Sequence, residues 1–405
     1  MNGKIGMQTI GEVIESTFKK HPEGMEKVGD TEILNLGPRH SPIEAYSMDP
    51  TTKRASWKSV RQLMRHRTPK TLYKVRTACG KEVTVTGGHN FWVLRNGKLI
   101  LVKTSHIQTT DYIPLPLQAP AKARLLKYIE VLEALKDSPL FADAHPFIVR
   151  ILKTRRPHEL ASALKGYFVY PWQKFYQIKS GTYRGLPVAT MNGVATALRT
   201  TVRPTELTRL VIGSQIHRYT LPARLELSPA LLRLVGYYIA EGMNTESRYF
   251  GLATGNKESS KILREILDEL KLAYYERPEQ NTINVGSKIH GALLEALCGN
   301  GAVNKRLPSF WPELSNAQLA MLLRAYFSGD GGVFTNRNGV IASTASRQLA
   351  SELVYALLRF GIWARIRKGQ PQMNNASERY YYVVVSGDDN LTLFKKKVGF
   401  EISYK

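Results

Sequence analysis

Two stretches of this chain share an unusual design. LVGYYIAEG (Leu234 to Gly242) and LLRAYFSGDGG (Leu322 to Gly332) are apolar, helix-like runs that each end in an acid followed by glycine. Setting Glu241 over Asp330 also sets Gly236 over Ala325, Ala240 over Gly329 and Gly242 over Gly331. The small residues fall four apart, so each run carries them on one helix face. Faces of that kind let two backbones come close, and helices packed through them bring both carboxylates to one end of the seam. Either acid by itself would read as a polar residue ahead of a glycine C-cap, a common helix ending. Two in register, inside a longer repeat, call for another reading.

The repeat continues past the helices. From 227 the hydrophobic period predicts helix 227–240, strand 248–254, helix 259–270, strands 272–276 and 282–285, and helix 288–298. From 312 it predicts helix 312–328, strand 339–343, helix 346–360, strands 363–367 and 380–385, and helix 388–398. The order is the same twice. ILDELKL (266–272) is echoed by ALLRFGI (356–362), an internal duplication at a spacing of about 90 residues.

Two carboxylates held close repel unless positive charge lies between them. A proton can serve. A hard divalent cation such as Mg²⁺ serves better, because it takes carboxylate and water oxygens and holds phosphate oxygens as well. Such an ion activates water and stabilises charge on a transferring phosphoryl group. Net charge points the same way: 57 Lys plus Arg against 33 Asp plus Glu leaves a formal +24. That surplus favours a polyanion, most often nucleic acid, and is also compatible with general solubility, heat adaptation or an anionic surface.

On these residues the chain resembles the LAGLIDADG, or dodecapeptide, homing endonucleases, and most of all their double-motif branch found inside inteins. The resemblance covers about 227–400. It implies an α+β fold of two αββαββ halves related by a pseudo-two-fold, with the signature helices at the interface and the sheets astride the DNA major groove. It implies metal-binding acids at the helix ends, here Glu241 and Asp330, with Gly242 and Gly331 counted beside them as metal ligands. Gly236, Ala240, Ala325 and Gly329 become the helix interface. The family more often has aspartate where Glu241 stands. NKRLP (304–308) resembles the basic segment ahead of the second signature helix, so Lys305 is the candidate catalytic lysine, stabilising charge at phosphate or positioning water. Lys368 is its candidate counterpart, with Arg365 and Arg367 competing. Arg365 and Arg367 alternate along a predicted strand, so both take one sheet face, either to touch DNA or to meet water.

The front of the chain differs in texture. Residues 1–116 read as mostly strand (43–48, 72–75, 82–86, 91–94 and 99–102) with a helix at 10–18, and the proline-rich 114–120 marks a boundary. Thr86 and His89 form a T-x-x-H pattern that resembles the self-splicing Hint domain of inteins. There the matching Thr steadies a junction amide and the matching His protonates its nitrogen. The family's opening Cys or Ser and closing His-Asn pair have no counterpart here, so the expectation is a truncated Hint-like domain that does not splice, whether split, trimmed or degenerate in origin. Residues 117–226 form a helical and mixed insertion, with helices expected at 121–134, 146–152 and 158–164. Aromatic residues there interleave with Lys174, Lys179 and Arg184, a pattern that can stack on bases and pair with phosphates or can be ordinary surface.

The domain plan is then 1–116, 117–226 and 227–405. Cys79 and Cys298 form no CxxC, so neither a disulfide framework nor a zinc or iron–sulfur site is expected. No run of 18 apolar residues exists and the start lacks a signal's apolar segment. The expected activity is hydrolysis of double-stranded DNA at a long asymmetric site by a monomer in the cytoplasm or nucleoid, without membrane or obligate protein partner. Mg²⁺ is the expected cofactor, with Mn²⁺ able to substitute and Ca²⁺ binding without turnover. The alternatives are a cleavage-inactive DNA- or RNA-binding protein, repressor or maturase-like, and a split-intein fragment.

Overall fold

Ser228 begins the first duplicated stretch by accepting a hydrogen bond from Leu231 N, and Pro229 takes the first helical position, where a missing N–H is harmless. A computed structural model of the protein describes residues 6–37, 43–119, 125–183, 185–213, 219–245, 249–334, 338–369 and 380–403. Helix α1 (Pro229–Glu241) ends where Gly242 N–H closes onto the Tyr238 carbonyl. Strands β1 (Gly242–Asn244) and β2 (Phe250–Ala253), helix α2 (Lys257–Glu269), strands β3 (Tyr274–Arg277) and β4 (Thr282–Val285), and helix α3 (Lys288–Cys298) follow. The second stretch runs α4 (Asn316–Asp330), β5 (Gly331–Val333), β6 (Val340–Thr344), α5 (Arg347–Leu358), β7 (Ala364–Gly369), β8 (Tyr380–Val385) and α6 (Asp388–Lys397).

The two sheets have orders β1-β2-β4-β3 and β5-β6-β8-β7, all neighbours antiparallel. The repeat is therefore one of topology as well as sequence, and the fold is mixed α+β. Each sheet gains a strand that the period does not reveal, since β1 and β5 are three residues long and begin at glycine. Helix α2 buries Ile262, Leu263, Ile266 and Leu267, the one-sided stripe of an amphipathic helix.

One predicted helix is corrected. Within 121–134, Tyr128–Glu130 is a strand paired with Arg224–Glu226, and only Val131–Ala134 is helical; residues 120–124 lie outside the described set. The run LLKYIEVL satisfies both periods over so short a length, and the partner strand decides. In the front region the expected strands fall at Glu44–Met48, Leu72–Arg76, Glu82–Thr86, Asn90–Arg95 and Lys98–Lys103, and the helix at Ile10–Lys20 starts from a Thr9–Glu12 capping box. Four further strands (Met25–Val28, Thr31–Asn35, Ala55–Ser59 and Gln62–His66) complete small sheets, and Phe18, Leu34 and Leu63 form a local core.

Two compact units interleave along the chain: residues 1–124, 309–320 and 331–399 make one, and residues 125–308, 321–330 and 400–405 the other. In the first, Ile366 N donates to Cys79 O at 3.0 Å and Gln118 Nε2 to Arg359 O at 2.8 Å, joining front segment to second repeat. Arg359, 1% exposed, donates to the carbonyls of Trp311, Pro312 and Leu314 and to Asn316 Oδ1. The second unit holds the first repeat's sheet and the insertion from residue 125 onward, whose helices His145–Ile151, Pro157–Leu164, Pro171–Lys179 and Val188–Ala197 accompany a three-stranded sheet. Among the described residues no helix is long and apolar enough to cross a membrane.

Candidate active site at the helix seam

Within the second unit, α1 packs on residues 321–330 of α4 with no space for a side chain between them. A Cβ added to Gly236 would lie 2.5 Å from the Leu322 carbonyl oxygen and 2.7 Å from Ala325 Cβ. One added to Gly329 would lie 2.6 Å from Ala240 Cβ and 3.1 Å from Glu241 Cγ. Gly236, Ala240, Ala325 and Gly329 thus meet at one backbone-to-backbone contact. Glu241 Oε1 lies 3.7 Å from that same point on Gly329, the residue before Asp330, the second of the two acids. Each is half-buried, while Tyr237, Tyr238, Tyr326 and Phe327 behind them are buried. Gly242 and Gly331 each start a strand, opposite Leu252 and Ala342.

Lys305 reaches the same end. It is 5% exposed, donates from Nζ to Tyr238 O at 2.6 Å, and sits 3.6 Å over the Tyr238 ring. Burial pushes its ammonium down to about 8, against the opposing pull of Cys298, Asp330 and Glu295. The loop carrying it is fixed: Gly299 has φ +76°, a Cβ there would lie 2.0 Å from Asn304 O, and Arg306 N donates to Cys298 O.

Among the described residues no group of three or more His, Cys, Asp or Glu is placed to hold a metal. Glu241 and Asp330 offer only hard carboxylate oxygens. That donor set suits Mg²⁺, Mn²⁺ or Ca²⁺ and not a soft transition metal, since Mg²⁺ commonly takes one or two carboxylates with water and phosphate.

Residues 317–399 match the model of the LAGLIDADG-like domain family. They form a LAGLIDADG-like domain. The chain is also similar to a DNA polymerase of Thermococcus kodakarensis, 26% identical over 413 residues, covering 89% of this chain and 24% of that protein. It is similar to DNA-directed RNA polymerase subunit Rpo1C of Methanocaldococcus jannaschii, 23% identical over 395 residues, covering 96% and 37%. The chain thus spans about a quarter to two fifths of the length of these relatives. Among solved structures it is similar to the PabCDC21-1 intein (26% identity, TM-score 0.25, covering 27% of this chain and 64% of that one). It is similar also to I-DmoI in complex with DNA and Ca (10% identity, TM-score 0.30, covering 42% and 88%). Both superpositions are too loose to bear on the fold.

The other candidates lie elsewhere. In the LAGLIDADG-like domain, Lys368 on β7 has its Nζ 2.8 Å from Glu82, inside the first unit. Arg365 and Arg367 are exposed on one face of β7, opposite Val384 and Tyr382. Thr86 and His89 share a turn in which His89 N donates to Thr86 O at 3.1 Å; the His89 carbonyl accepts from Thr104 N and Oγ1. In the insertion, Lys174 Nζ lies 3.5 Å over the Tyr183 ring, Lys179 is exposed, and Trp172 stacks on Tyr176 at 6.2 Å, while Phe175 is core. Arg184 lies outside the described residues.

Sequence reasoning missed a brace across the seam. Glu401 accepts from Arg233 Nε and Nη2 at 2.9 and 3.1 Å and from Tyr237 OH at 3.1 Å, and its backbone N–H donates to Ser328 Oγ at 2.7 Å. A lone acid so far along the chain gave no signal of that role.

Proposed function

We propose that this chain is a site-specific, divalent-metal-dependent DNA endonuclease of the homing type, carried as an intein-like insert within larger proteins. The observation that carries the reading is the seam, which brings Glu241 against Gly329, next to Asp330 in the chain, with a desolvated Lys305 within electrostatic reach of Asp330. Support for the insert comes from the relatives. Nearly the whole chain matches a minor part of a DNA polymerase and a minor part of an RNA polymerase subunit. A segment common to proteins of different activity is a module with its own role.

Glu241 and Asp330, with the backbone at Gly242 and Gly331, would hold the divalent ion, which when bound supplies Lewis-acid charge at phosphate and a more acidic water. Mg²⁺ is the expected ion, with Mn²⁺ as substitute and Ca²⁺ binding without turnover. The chain's own groups do the rest. The half-buried acids hold negative charge at the open end of an apolar seam. Lys305 keeps its proton on Nζ at pH 7 and sets positive charge where phosphate oxygens gather negative charge, which matters most where water is scarce. In the hydrolysis, a water oxygen bonds to phosphorus as the sugar oxygen leaves. Arg365, Arg367, Lys174 and Lys179 contact a long asymmetric duplex site, and Lys368 contacts phosphate; the acting species is a monomer.

The test begins by selecting linearised plasmids from a random target library in Mg²⁺. Glu241→Ala and Asp330→Ala should each keep duplex binding in a gel shift and lose cleavage of the selected target. Cleavage at the wild-type rate by either variant defeats the proposal.

A further inference from the structure

The first unit contains a carboxylate with far more positive charge around it than one acid needs. Glu82, its side chain 4% exposed, has Lys74 Nζ at 3.4 Å, Arg76 Nε at 2.5 Å, Arg347 Nη2 at 3.2 Å and Lys368 Nζ at 2.8 Å. Four bases on one acid leave three surplus positive charges. Lys81 lies beside them, 4.0 Å over the Tyr355 ring. A cavity of about 90 Å³ opens among Gly80, Lys81, Glu82, Arg347, Lys368 and Tyr381.

The convergence is fixed by backbone. Gly80 has φ +85°, and a Cβ there would lie 1.9 Å from Ile366 O, so only glycine lets the turn press against β7. Ile366 N donating to Cys79 O holds that turn at the sheet edge. Lys74 and Arg76 then arrive from one strand, Lys368 from β7 and Arg347 from the start of α5.

A structural ion pair explains one base, and a second can share the other carboxylate oxygen. The remaining bases repel their neighbours, and their half-exposed side chains (53–62% for Lys74, Arg76 and Arg347) stay reachable from water. Two guanidinium forks and two ammonium groups are the usual equipment for phosphate oxygens. Glu82 itself stays ionised, its carboxyl held down to about 2 mainly by Lys368. An arriving monoanion therefore still meets a net positive site.

We infer that this cluster is a phosphate-binding site for a backbone phosphate of duplex DNA, with Glu82 holding the bases together until the phosphate arrives. Recognition of DNA then includes the front strands, outside the two repeats. The phosphate chemistry follows from the cluster; that its source is DNA rests on the function proposed above.

Lys74→Gln and Arg347→Gln, singly and together, replace exposed side chains and leave the local core untouched. Binding to a target-free duplex is followed by fluorescence anisotropy over a salt series. The double variant should bind more weakly on every sequence, with a slope of log affinity against log salt shallower by about one. Glu82→Gln should bind tighter than wild type at each salt, and where it does not fold the lysine and arginine variants carry the decision. Unchanged slope and affinity in the double variant, with wild type binding normally, overturns the site and leaves the endonuclease reading standing. Should wild type not bind duplex at all, the DNA reading fails, and titration with inorganic phosphate followed by ³¹P NMR decides. Saturable binding lost in the double variant supports the phosphate site, and none overturns it.

Discussion

Lys305 should be a liability to the fold. Burial takes its ammonium from an ordinary 10.5 to about 8. At about 1.4 kcal/mol per tenfold, holding it charged at pH 7 costs about 3 kcal/mol. Replacement by methionine, similar in length and without charge, removes that cost. It also removes the hydrogen bond to Tyr238 O, worth about 1 kcal/mol. That carbonyl keeps the Gly242 N–H, so it is not left bare. The net expectation for Lys305→Met is a gain of about 2 kcal/mol at pH 7, or about 4–8 °C in Tm, together with loss of cleavage.

The pH dependence carries the sharper test. Between about 8 and 10.5 the unfolded lysine keeps a proton that the folded one has lost, so wild-type stability rises with pH across this window. The advantage of Lys305→Met is therefore full below 8 and fades as pH approaches 10.5. Urea unfolding of both proteins at pH 7 and pH 10 reads it directly. A variant less stable than wild type at pH 7, or an advantage of equal size at both pH values, refutes the desolvation argument.

Gly236→Ala pushes a methyl into the Leu322 carbonyl, and overpacking of that kind should lower stability by about 1–3 kcal/mol, read as a reduced urea midpoint. Arg359→Leu leaves the Trp311, Pro312 and Leu314 carbonyls without this donor, and a loss of about 3 kcal/mol is expected, measured by chemical denaturation. His290, pushed down to about 4 by burial, stays neutral in the fold while the unfolded chain protonates near 6.5. Stability should fall as pH drops from about 6.5 to 4, and His290→Gln should flatten that part of the urea-midpoint profile.

Periodicity exposed the repeat because its helices are long enough for a 3.6-residue pattern to accumulate, as in Lys288–Cys298, and because strands such as Thr282–Val285 are flanked by polar turns. It missed β1 and β5, where three residues starting at glycine give no alternation to read. The seam was legible through its small residues, whose identity is what close approach requires. The burial of Lys305 was not, since an isolated lysine is by default a surface residue and only the loop fixed by Gly299 and Arg306 turns it inward. Glu82 and Glu401 were equally silent. Lys74 and Arg76 are Glu82's hairpin neighbours, but Lys368 and Arg347, like Glu401's partners Arg233 and Tyr237, lie more than a hundred residues away, and a local pattern holds no trace of such pairings.

Because the two units interleave, the chain cannot be divided cleanly through its middle. A break anywhere from 125 to 308 separates residues 1–124 from 331–399 and also cuts the unit that begins at 125. On the ribosome, the front strands must wait for residues 331–399 before their unit can close, and the brace at Glu401 forms only after both helices it joins have been made. Recombination that swapped the second repeat for a stranger's would damage both units at once, so a lineage carrying this arrangement can change its contacts there residue by residue far more easily than by exchanging halves.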